Sequence, residues 1–327
     1  MFPSTRMSRL RRSAPLRNMI AETNLAPYNF VYPIFVEEQI EENTPIISMP
    51  GQYRIAEKNL NLHIKSLYNK GIRAVILFVI SHYKDENATD SLNATGSLAR
   101  IIDIAKNAAP KMLVISDNCF CEYTNHGHCG KLKNGFIDND NSIDLLGKQA
   151  IICAKAGCDM VAPSAMLDGQ IKAIRKALDS ENFSHIPIMS YAAKYASAFY
   201  GPFREAANSA IVTNNINGDR KTYQMNICNS REALQEAKED ENEGADILMV
   251  KPAGLYLDVI TKLHHNTNLP VAAYQVSGEY SAIKAASHLG FLDENSAMIE
   301  SLTAIKRAGA SIIISYFAPE IIQLIDQ

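Results

Sequence analysis

Cysteine, long apolar runs and net charge are all scarce in this chain, and each shortage excludes a class of protein. Six cysteines among 327 residues are too few for a disulfide-built fold. They fit a reducing compartment, so we expect a cytoplasmic protein. No apolar stretch approaches the roughly 18 residues of a membrane span, and no membrane partner is expected. The formal net charge of -3 gives no global reason to expect nucleic acid as a partner.

The composition suits a globular protein of one large domain or two ordinary ones, preceded by a basic segment. Apolar residues make up 47% of the chain, which argues against wholesale disorder. The first twenty residues carry five arginines, and no acid precedes Glu22. A transit peptide or a nucleic-acid-binding tail would have a similar composition. Because Pro15 would break the helix of a transit peptide, we favour an ordered or semi-ordered basic arm.

Eight short apolar runs have the character of strands in a parallel sheet. They are continuously apolar rather than alternating, as expected when both faces of a strand are covered. The predicted strands are Tyr28–Val36, Ile72–Ile80, Met112–Ser116, Asp159–Pro163, Ile186–Tyr191, Asp246–Lys251, Pro270–Val276 and Ser311–Phe317. The amphipathic segments predicted as helices are Asn59–Asn69, Ser97–Ala108, Ile143–Ala156, Ile171–Leu178, Arg231–Glu243, Leu255–His265 and Ala297–Ala308.

A glycine recurs where a predicted helix gives way to the next strand, at Gly71, Gly157, Gly244 and Gly309. Glycine tolerates the left-handed conformation of a helix C-cap, so these positions indicate joints of a repeated βα unit. Eight such units predict an α/β fold, the (β/α)8 TIM barrel, in which catalytic residues cluster at the C-terminal ends of strands. A doubly wound open sheet is the alternative. No glycine-rich phosphate fingerprint follows the first strand, which weakens that alternative.

Two lysines close neighbouring strands of this predicted barrel. Lys194 follows the fifth strand and Lys251 ends the sixth. A lysine attacks a ketone only when it is unprotonated, so its reference pKa of about 10.4 must fall by several units. Burial in a barrel mouth and the charge of a second ammonium both lower a lysine pKa. The pair therefore suits carbonyl chemistry, whereas a solvated or ion-paired lysine is the ordinary alternative.

Three of the six cysteines lie in one short segment with the spacing Cys119-x-Cys121-x7-Cys129. Three thiolates can bind Zn2+ and leave a fourth position for water or substrate, as in catalytic zinc sites. The alternatives are a closed site completed by His126 or His128, and three ordinary loop cysteines. The other cysteines are expected to be buried small hydrophobes, and they are Cys153, Cys158 and Cys228.

Polar residues near the fifth strand could complete a binding site. Arg204, Arg220 and Lys221 could hold a substrate carboxylate, for which the arginine fork is well shaped. Surface solubility is the ordinary alternative for each of them. Asp117 could orient a metal ligand or a substrate amine. The long polar segment 207–223 is typical of a lid.

Three motifs together resemble one enzyme family with high specificity. They are YAAKYASAFYGPFR at Tyr191–Arg204, MVKPAG at Met249–Gly254 and YQVSGEY at Tyr274–Tyr280. On these motifs, the chain resembles the porphobilinogen synthase, or 5-aminolevulinate dehydratase, family over almost its whole length. Its cysteine segment is similar to that of the zinc-dependent branch.

The resemblance implies condensation of two 5-aminolevulinate molecules to porphobilinogen, with loss of two waters, in tetrapyrrole (heme) synthesis. It implies that Lys251 forms a Schiff base with the first substrate and Lys194 with the second. Asp117 would assist proton transfer or hold an amine. The implied carboxylate contacts are Ser277 and Tyr316 for the first substrate, and Arg204, Arg220 and Lys221 for the second. The implied zinc ligands are Cys119, Cys121 and Cys129.

The resemblance also implies an assembly and a second metal. Residues 1–27 match an arm that wraps a neighbouring subunit, usually within a homo-octamer, and residues 28–327 would form the catalytic barrel. Glu236 ends a motif that binds an allosteric Mg2+ in many members. The departures from the family pattern are Ala165, where members often have an aspartate, an insertion around Asn214–Asn217, and the unusual turn Ser81–Lys84.

Two other interpretations remain open. A lysine-dependent class I aldolase on the same barrel needs one Schiff-base lysine and no metal. A non-enzymatic zinc-binding assembly protein predicts a closed site with four ligands and no reactive amine. Borohydride trapping with 5-aminolevulinate separates these interpretations, because only a reactive lysine gives a substrate adduct.

Overall fold

Eight parallel strands at the centre of the chain coincide with the eight predicted apolar runs, although their ends shift by a few residues. The computed structural model describes residues 4–212 and 218–325. The central strands are β1 (Phe30–Glu37), β2 (Ala74–Ile80), β3 (Leu113–Asn118), β4 (Met160–Pro163), β5 (Met189–Lys194), β6 (Ile247–Lys251), β7 (Val271–Gln275) and β8 (Ile312–Ser315). Most of their residues are buried, because both faces of the sheet are covered.

The strands close into a barrel. Their order is β4-β3-β2-β1-β8-β7-β6-β5, and every neighbouring pair is parallel. The two outer strands meet at a bridge between Val161 and Ile188, where the Val161 amide donates to the Pro187 carbonyl over 3.1 Å. The predicted (β/α)8 barrel is confirmed, and the doubly wound alternative is wrong because the sheet returns on itself.

Helices cover the outside of the barrel, and their apolar stripes explain why. In the helix at Ser97–Ala108, the residues Leu98, Ile101, Ile102 and Ala105 recur with helical spacing, and all are buried. The helices are α1 (Ala14–Met19), α2 (Leu60–Asn69), α3 (Ser97–Ala108), α4 (Asn139–Lys155), α5 (Gln170–Ser180), α6 (Gly201–Ala206), α7 (Arg231–Glu243), α8 (Leu257–Asn266), α9 (Ser277–His288), α10 (Glu294–Arg307) and α11 (Ala318–Ile325).

The predicted glycine joints are confirmed by their backbone angles. Gly71, Gly157, Gly244 and Gly309 have φ values of +96°, +94°, +103° and +119°, which side chains with a Cβ rarely adopt. At Gly309, an added Cβ would also lie 2.5 Å from the ring of His264. Each glycine therefore lies just after a helix, at a position where glycine is the preferred residue.

Several elements add to the predicted set. The strand Tyr53–Ala56 pairs with the end of β1 outside the barrel and with Thr44–Pro45. A small hairpin joins Leu132–Lys133 to Phe136–Ile137. The helix α9 begins at Ser277, directly after β7, and its many small and polar residues give a weak helical pattern.

The basic arm forms two short helical pieces outside the barrel. A single 3-10 segment at Met7–Arg11 precedes α1, and neither contains a buried residue. Pro15 lies in the first turn of α1, where proline is tolerated because the missing amide would have no helical partner. Pro15 therefore begins a helix of only six residues, after a 3-10 segment that ends at Arg11, and the prediction that it breaks the longer helix of a transit peptide is not contradicted. Within residues 4–212 and 218–325, no helix is long and apolar enough to cross a membrane.

Candidate active site

Lys194 and Lys251 lie side by side at the C-terminal ends of β5 and β6, where they are register partners. Only 5% of Lys194 and 4% of Lys251 is exposed. Their ammonium nitrogens lie 5.4 Å and 5.0 Å from the centre of the same ring, that of Tyr191. Both amines therefore lie beside the same ring, as the strand order predicts.

Aromatic rings form the wall around Lys251. Its Nζ lies 4.1 Å from the ring centre of Tyr274, 5.0 Å from that of Phe203 and 5.5 Å from that of Tyr200. Burial lowers the pKa of Lys251 to about 7, and the charge of Lys194 acts in the same direction. Near neutral pH, a large share of this amine is therefore uncharged and able to attack a ketone.

Asp117, at the end of β3, is linked to Lys194 through Ser164. Lys194 Nζ donates to the Ser164 carbonyl oxygen, and the Ser164 hydroxyl donates to Asp117 Oδ2 over 3.1 Å. Burial raises the pKa of Asp117 to about 7, and the charge of Glu122 adds to this shift, whereas the two lysines oppose it. Asp117 can therefore accept and donate a proton near neutral pH, as general acid–base catalysis requires.

The three cysteines of the predicted metal segment converge on one buried point. The sulfur atoms of Cys119, Cys121 and Cys129 all lie within 4.8 Å of one another, and those of Cys119 and Cys121 are 3.4 Å apart. Sulfur ligands about 2.3 Å from a tetrahedral zinc ion are roughly 3.8 Å apart, so this spacing fits such an ion.

One thiol of the cluster is disposed to bind a metal. Hydrogen bonds with Cys119 and Cys121 hold the pKa of the Cys129 thiol well below its usual range, and the charges of Arg220 and Lys194 act in the same direction. Burial raises the pKa of Cys119, and hydrogen bonds with Cys119 and Cys129 raise that of Cys121. Because a thiol binds a metal ion only as thiolate, these two thiols would give up their protons on binding.

Neither neighbouring histidine joins the thiols. In the described part of the chain, the sets of three donors close enough to hold one ion are Cys119, Cys121 and Cys129, and Asp117, Cys119 and Glu122. His126 Nδ1 accepts from the His128 amide over 3.1 Å, and His128 Nδ1 lies 3.1 Å from the Tyr223 hydroxyl. The geometry favours a site with an open fourth position over a closed site completed by a histidine.

Arg204 and Arg220 form a cationic pair beside the thiol cluster. Arg220 is buried, and its Nη2 donates to the carbonyls of Gly127 and Ser209 over 2.8 Å and 2.9 Å. Burial lowers the pKa of the half-buried Arg204, and the charge of Arg220 lowers it further. Among residues 4–212 and 218–325, no carboxylate forms an ion pair with either guanidinium. The pair is thus suited to a carboxylate brought by a ligand.

Ser277 and Tyr316 contact residues whose rings border Lys251. The Ser277 hydroxyl accepts from the Phe203 amide over 2.9 Å, and Phe203 borders Lys251. The Tyr316 hydroxyl lies 3.1 Å from that of Tyr274, whose ring faces the same amine. In space, a single residue therefore lies between each hydroxyl and Lys251: Phe203 for Ser277, and Tyr274 for Tyr316.

Lys221 lies at the protein surface. Its side chain is 74% exposed and pairs with Asp219 over 3.2 Å. The inserted residues Asn214–Asn217, which the sequence places just before it, lie outside the described residues. The role of Lys221 stays a prediction.

Glu236 lines a cavity of about 420 Å3, together with Asp168, Glu232 and Lys221. Burial raises the pKa of Glu236, and the charge of Asp168 adds to the shift. A bound cation would relieve this repulsion. Asp168 therefore belongs to the surroundings of Glu236, while Ala165 is fully buried.

Some features of the site escape sequence reasoning. The rings of Tyr200 and Phe203 and the buried carboxylate of Glu122 carry no local signal of their role. The only hint is their position, because Tyr200 and Phe203 lie within the motif Tyr191–Arg204 and Glu122 directly follows Cys121. Cys153 and Cys158 are buried as predicted, whereas Cys228 is exposed, so its predicted burial is wrong. Cys228 follows a polar turn rather than a strand.

Comparisons with known proteins agree with this geometry. A family model for delta-aminolevulinic acid dehydratase matches residues 4–324. The chain is 53% identical over 313 residues to the delta-aminolevulinic acid dehydratase of Escherichia coli (strain K12), covering 96% of this chain and 95% of that protein. It is 49% identical over 320 residues to the protein of the same name from Archaeoglobus fulgidus, covering 98% of each.

A solved structure gives the same result. The delta-aminolevulinic acid dehydratase (porphobilinogen synthase) of Toxoplasma gondii ME49, crystallised with the reaction product porphobilinogen, has a TM-score of 0.94 and 41% sequence identity, covering 98% of this chain and 92% of that one. The chain therefore belongs to the delta-aminolevulinic acid dehydratase family, whose enzymes are also called porphobilinogen synthases.

Proposed function

We propose that this enzyme condenses two molecules of 5-aminolevulinate to porphobilinogen, with loss of two waters, in tetrapyrrole synthesis. The observation that carries the proposal is the pair of buried amines, Lys194 and Lys251, which border one aromatic ring near three clustered thiols. A class I aldolase would leave the second amine and the thiols without a role. A non-enzymatic zinc-binding protein would leave both amines without one.

The first substrate would bind at Lys251. The neutral amine attacks the ketone carbon, the carbonyl oxygen leaves as water, and a carbon–nitrogen double bond to the lysine forms. The lowered pKa of Lys251 supplies the neutral amine at the pH of the cell. The hydroxyls of Ser277 and Tyr316 would hold the substrate carboxylate, and Asp117 would pass the proton that the leaving oxygen needs.

The second substrate would bind at Lys194. This amine donates to the Ser164 carbonyl. That bond uses an N–H, so the nitrogen lone pair of the neutral amine can still attack a ketone. Arg204 and Arg220 would hold the second carboxylate, because they are neighbouring cations without an acidic partner in the described residues. Lys221 would first have to break its ion pair with Asp219, and it could then bind the same substrate carboxylate as the two arginines.

The thiol cluster would hold a catalytic Zn2+. Three sulfur donors suit this ion, and the open fourth position is the usual mark of a catalytic rather than structural site. When bound, the ion would supply a Lewis acid and a water that ionises near neutral pH. Cys129, Cys119 and Cys121 are the residues that would hold it, and Asp117 lies close enough to orient a group beside it.

The finer points of assembly follow from the family resemblance. Glu236 would bind an allosteric Mg2+ together with water, since magnesium prefers carboxylate and water oxygens.

Residues 1–27 would wrap a neighbouring copy in a homo-octamer, which fits the exposed apolar side chains of Met7 and Met19 in the arm. We expect the protein to act in the cytoplasm.

A direct test uses 5-aminolevulinate as the sole substrate. A colour assay for the pyrrole product, with and without zinc, reports turnover. Borohydride added during turnover reduces any imine to a stable amine, so peptide mass spectrometry should find substrate adducts on Lys251 and Lys194. Absence of both adducts at saturating substrate would count decisively against the proposal.

The pH dependence of adduct formation should follow the Lys251 amine. Because burial places its pKa at about 7, the neutral form grows as pH rises through 7 and is nearly complete by pH 8. The initial rate of trapping at Lys251, measured between pH 5.5 and 9, should therefore rise and then level off. A rate that still climbs tenfold per pH unit above pH 8 would show that the amine keeps an ordinary lysine pKa.

A further inference from the structure

The helix α6, which carries Arg204, ends in a tightly bonded C-terminal cap. Asn208 is left-handed, with φ of +47°. The Ser209 amide donates to the Arg204 carbonyl over 3.1 Å, and the Asn208 amide donates to the Glu205 carbonyl over 3.2 Å. These two bonds are those of a Schellman cap, in which asparagine can replace glycine. The backbone of Arg204 is thus part of the cap itself.

Arg54 binds two of the last carbonyls of this helix. It lies on the strand Tyr53–Ala56, and its Nε and Nη2 donate to the carbonyls of Ala206 and Glu205 over 2.9 Å and 2.6 Å. Its Nη1 lies 3.3 Å from the buried carboxylate of Glu37, which ends β1. Carbonyls at a helix C-terminus lack helical partners and carry partial negative charge, so a cation suits this position.

Lys84 binds the cap from another side. Its Nζ donates to the Asn208 carbonyl over 2.6 Å. Lys84 belongs to the turn after β2, the turn that departs from the family pattern. The following residue fixes this turn to the cysteine segment, because the Asp85 amide donates to the Tyr123 carbonyl and the Asn125 amide donates to the Asp85 carbonyl, each over 3.2 Å.

We propose that Lys84 is a positioning residue for Arg204, acting together with Arg54 on the cap of α6. This inference rests on the proposed function, in which Arg204 holds the carboxylate of the second substrate. Lys84 does not contact substrate; it fixes the helix end from which the guanidinium extends. A small displacement of a binding group weakens the interaction it makes, so loss of Lys84 acts on binding of the second substrate and spares the chemistry at Lys251.

The test replaces Lys84 by methionine, which keeps most of the side-chain length but removes the charge and the donor. For K84M we expect a KM for 5-aminolevulinate about three- to tenfold higher, with kcat within twofold, since one hydrogen bond to a backbone carbonyl is lost. Borohydride trapping is repeated at graded substrate concentrations. The concentration that gives half of the maximal Lys194 adduct should rise by the same factor, while the corresponding concentration for the Lys251 adduct should not change.

Two further variants make the test specific. K84R restores a donor and should return the Lys194 adduct curve towards that of the wild type. K155M removes a half-exposed lysine that pairs with Glu181 on the outside of the barrel, and it should leave both curves unchanged. Thermal midpoints of all variants are measured alongside.

The outcomes separate the two claims. Wild-type protein without adducts on either lysine overturns the proposed function and this inference with it. Wild-type protein with both adducts, and a K84M variant whose curves match it, overturns only the inference. The same holds if both adducts weaken equally in K84M together with a lower thermal midpoint, because that pattern reports general destabilisation.

Discussion

Replacement of Lys251 by methionine should abolish pyrrole formation, with a fall in turnover of at least ~10³-fold, as removal of a covalent nucleophile usually causes. Methionine fills much of the same volume but cannot form an imine. The fold should survive, because Lys251 is 4% exposed among aromatic rings and an apolar side chain there avoids the cost of burying a charge. The measurements are the pyrrole colour assay and the thermal midpoint, which should be unchanged or higher.

Companion variants locate the effect at the amine. K251R keeps the charge but cannot form the imine, so it should be as inactive as K251M. K262M removes a surface lysine that pairs with Asp258 on α8, and it should keep full activity. In K194M, the Lys251 adduct should still form under borohydride while no pyrrole appears. Turnover of K251M within tenfold of the wild type would contradict the proposed role.

Replacement of Cys129 by serine should remove both the bound metal and the activity. Cys129 is the cysteine whose thiol pKa is held lowest, and all three thiolates are needed to hold the ion. We expect zinc content, measured by elemental mass spectrometry, to fall from about one ion per chain to near zero, and turnover to fall at least ~100-fold. Exhaustive chelation of the wild type should have the same effect, and added zinc should reverse it.

The matched control is C228S, because Cys228 is exposed and lies far along the chain from the thiol segment. It should keep its zinc and its activity. Full turnover in a sample from which zinc has been stripped, or in C129S, would show that the thiol cluster has no catalytic role. Retention of zinc by C129S with lost activity would instead assign Cys129 to chemistry rather than to metal binding.

The barrel could be predicted in detail because its signals are local. Each strand is a short apolar run, and the helices are amphipathic over the lengths observed; α3 and α7 match their predicted bounds at both ends. A prediction failed where no apolar pattern surrounds the residue. Cys228 lies in a turn and is exposed, although it was expected to be buried.

The candidate site could be predicted as a set of residues rather than as an arrangement. The order of strands brings Lys194 and Lys251 together, because parallel neighbours end at the same side of a barrel. The sequence does not show that the thiols converge without a histidine, or that Lys221 is exposed and pairs with Asp219. These outcomes depend on how long loops fold over the barrel mouth, and loops have no periodic pattern to read.

By itself, the order of amino acids determined the alternation of strands and helices, a lysine at the end of two successive strands and the group of three cysteines, because each depends on residues close together in the chain. Only the tertiary structure decided how these groups behave. The pKa of Lys251 falls to about 7 because rings from three other segments exclude water around it. The cap of α6 is held by Lys84 from 124 positions away and by Arg54 from 152 positions away. Contacts over such separations exist only once the chain has closed on itself.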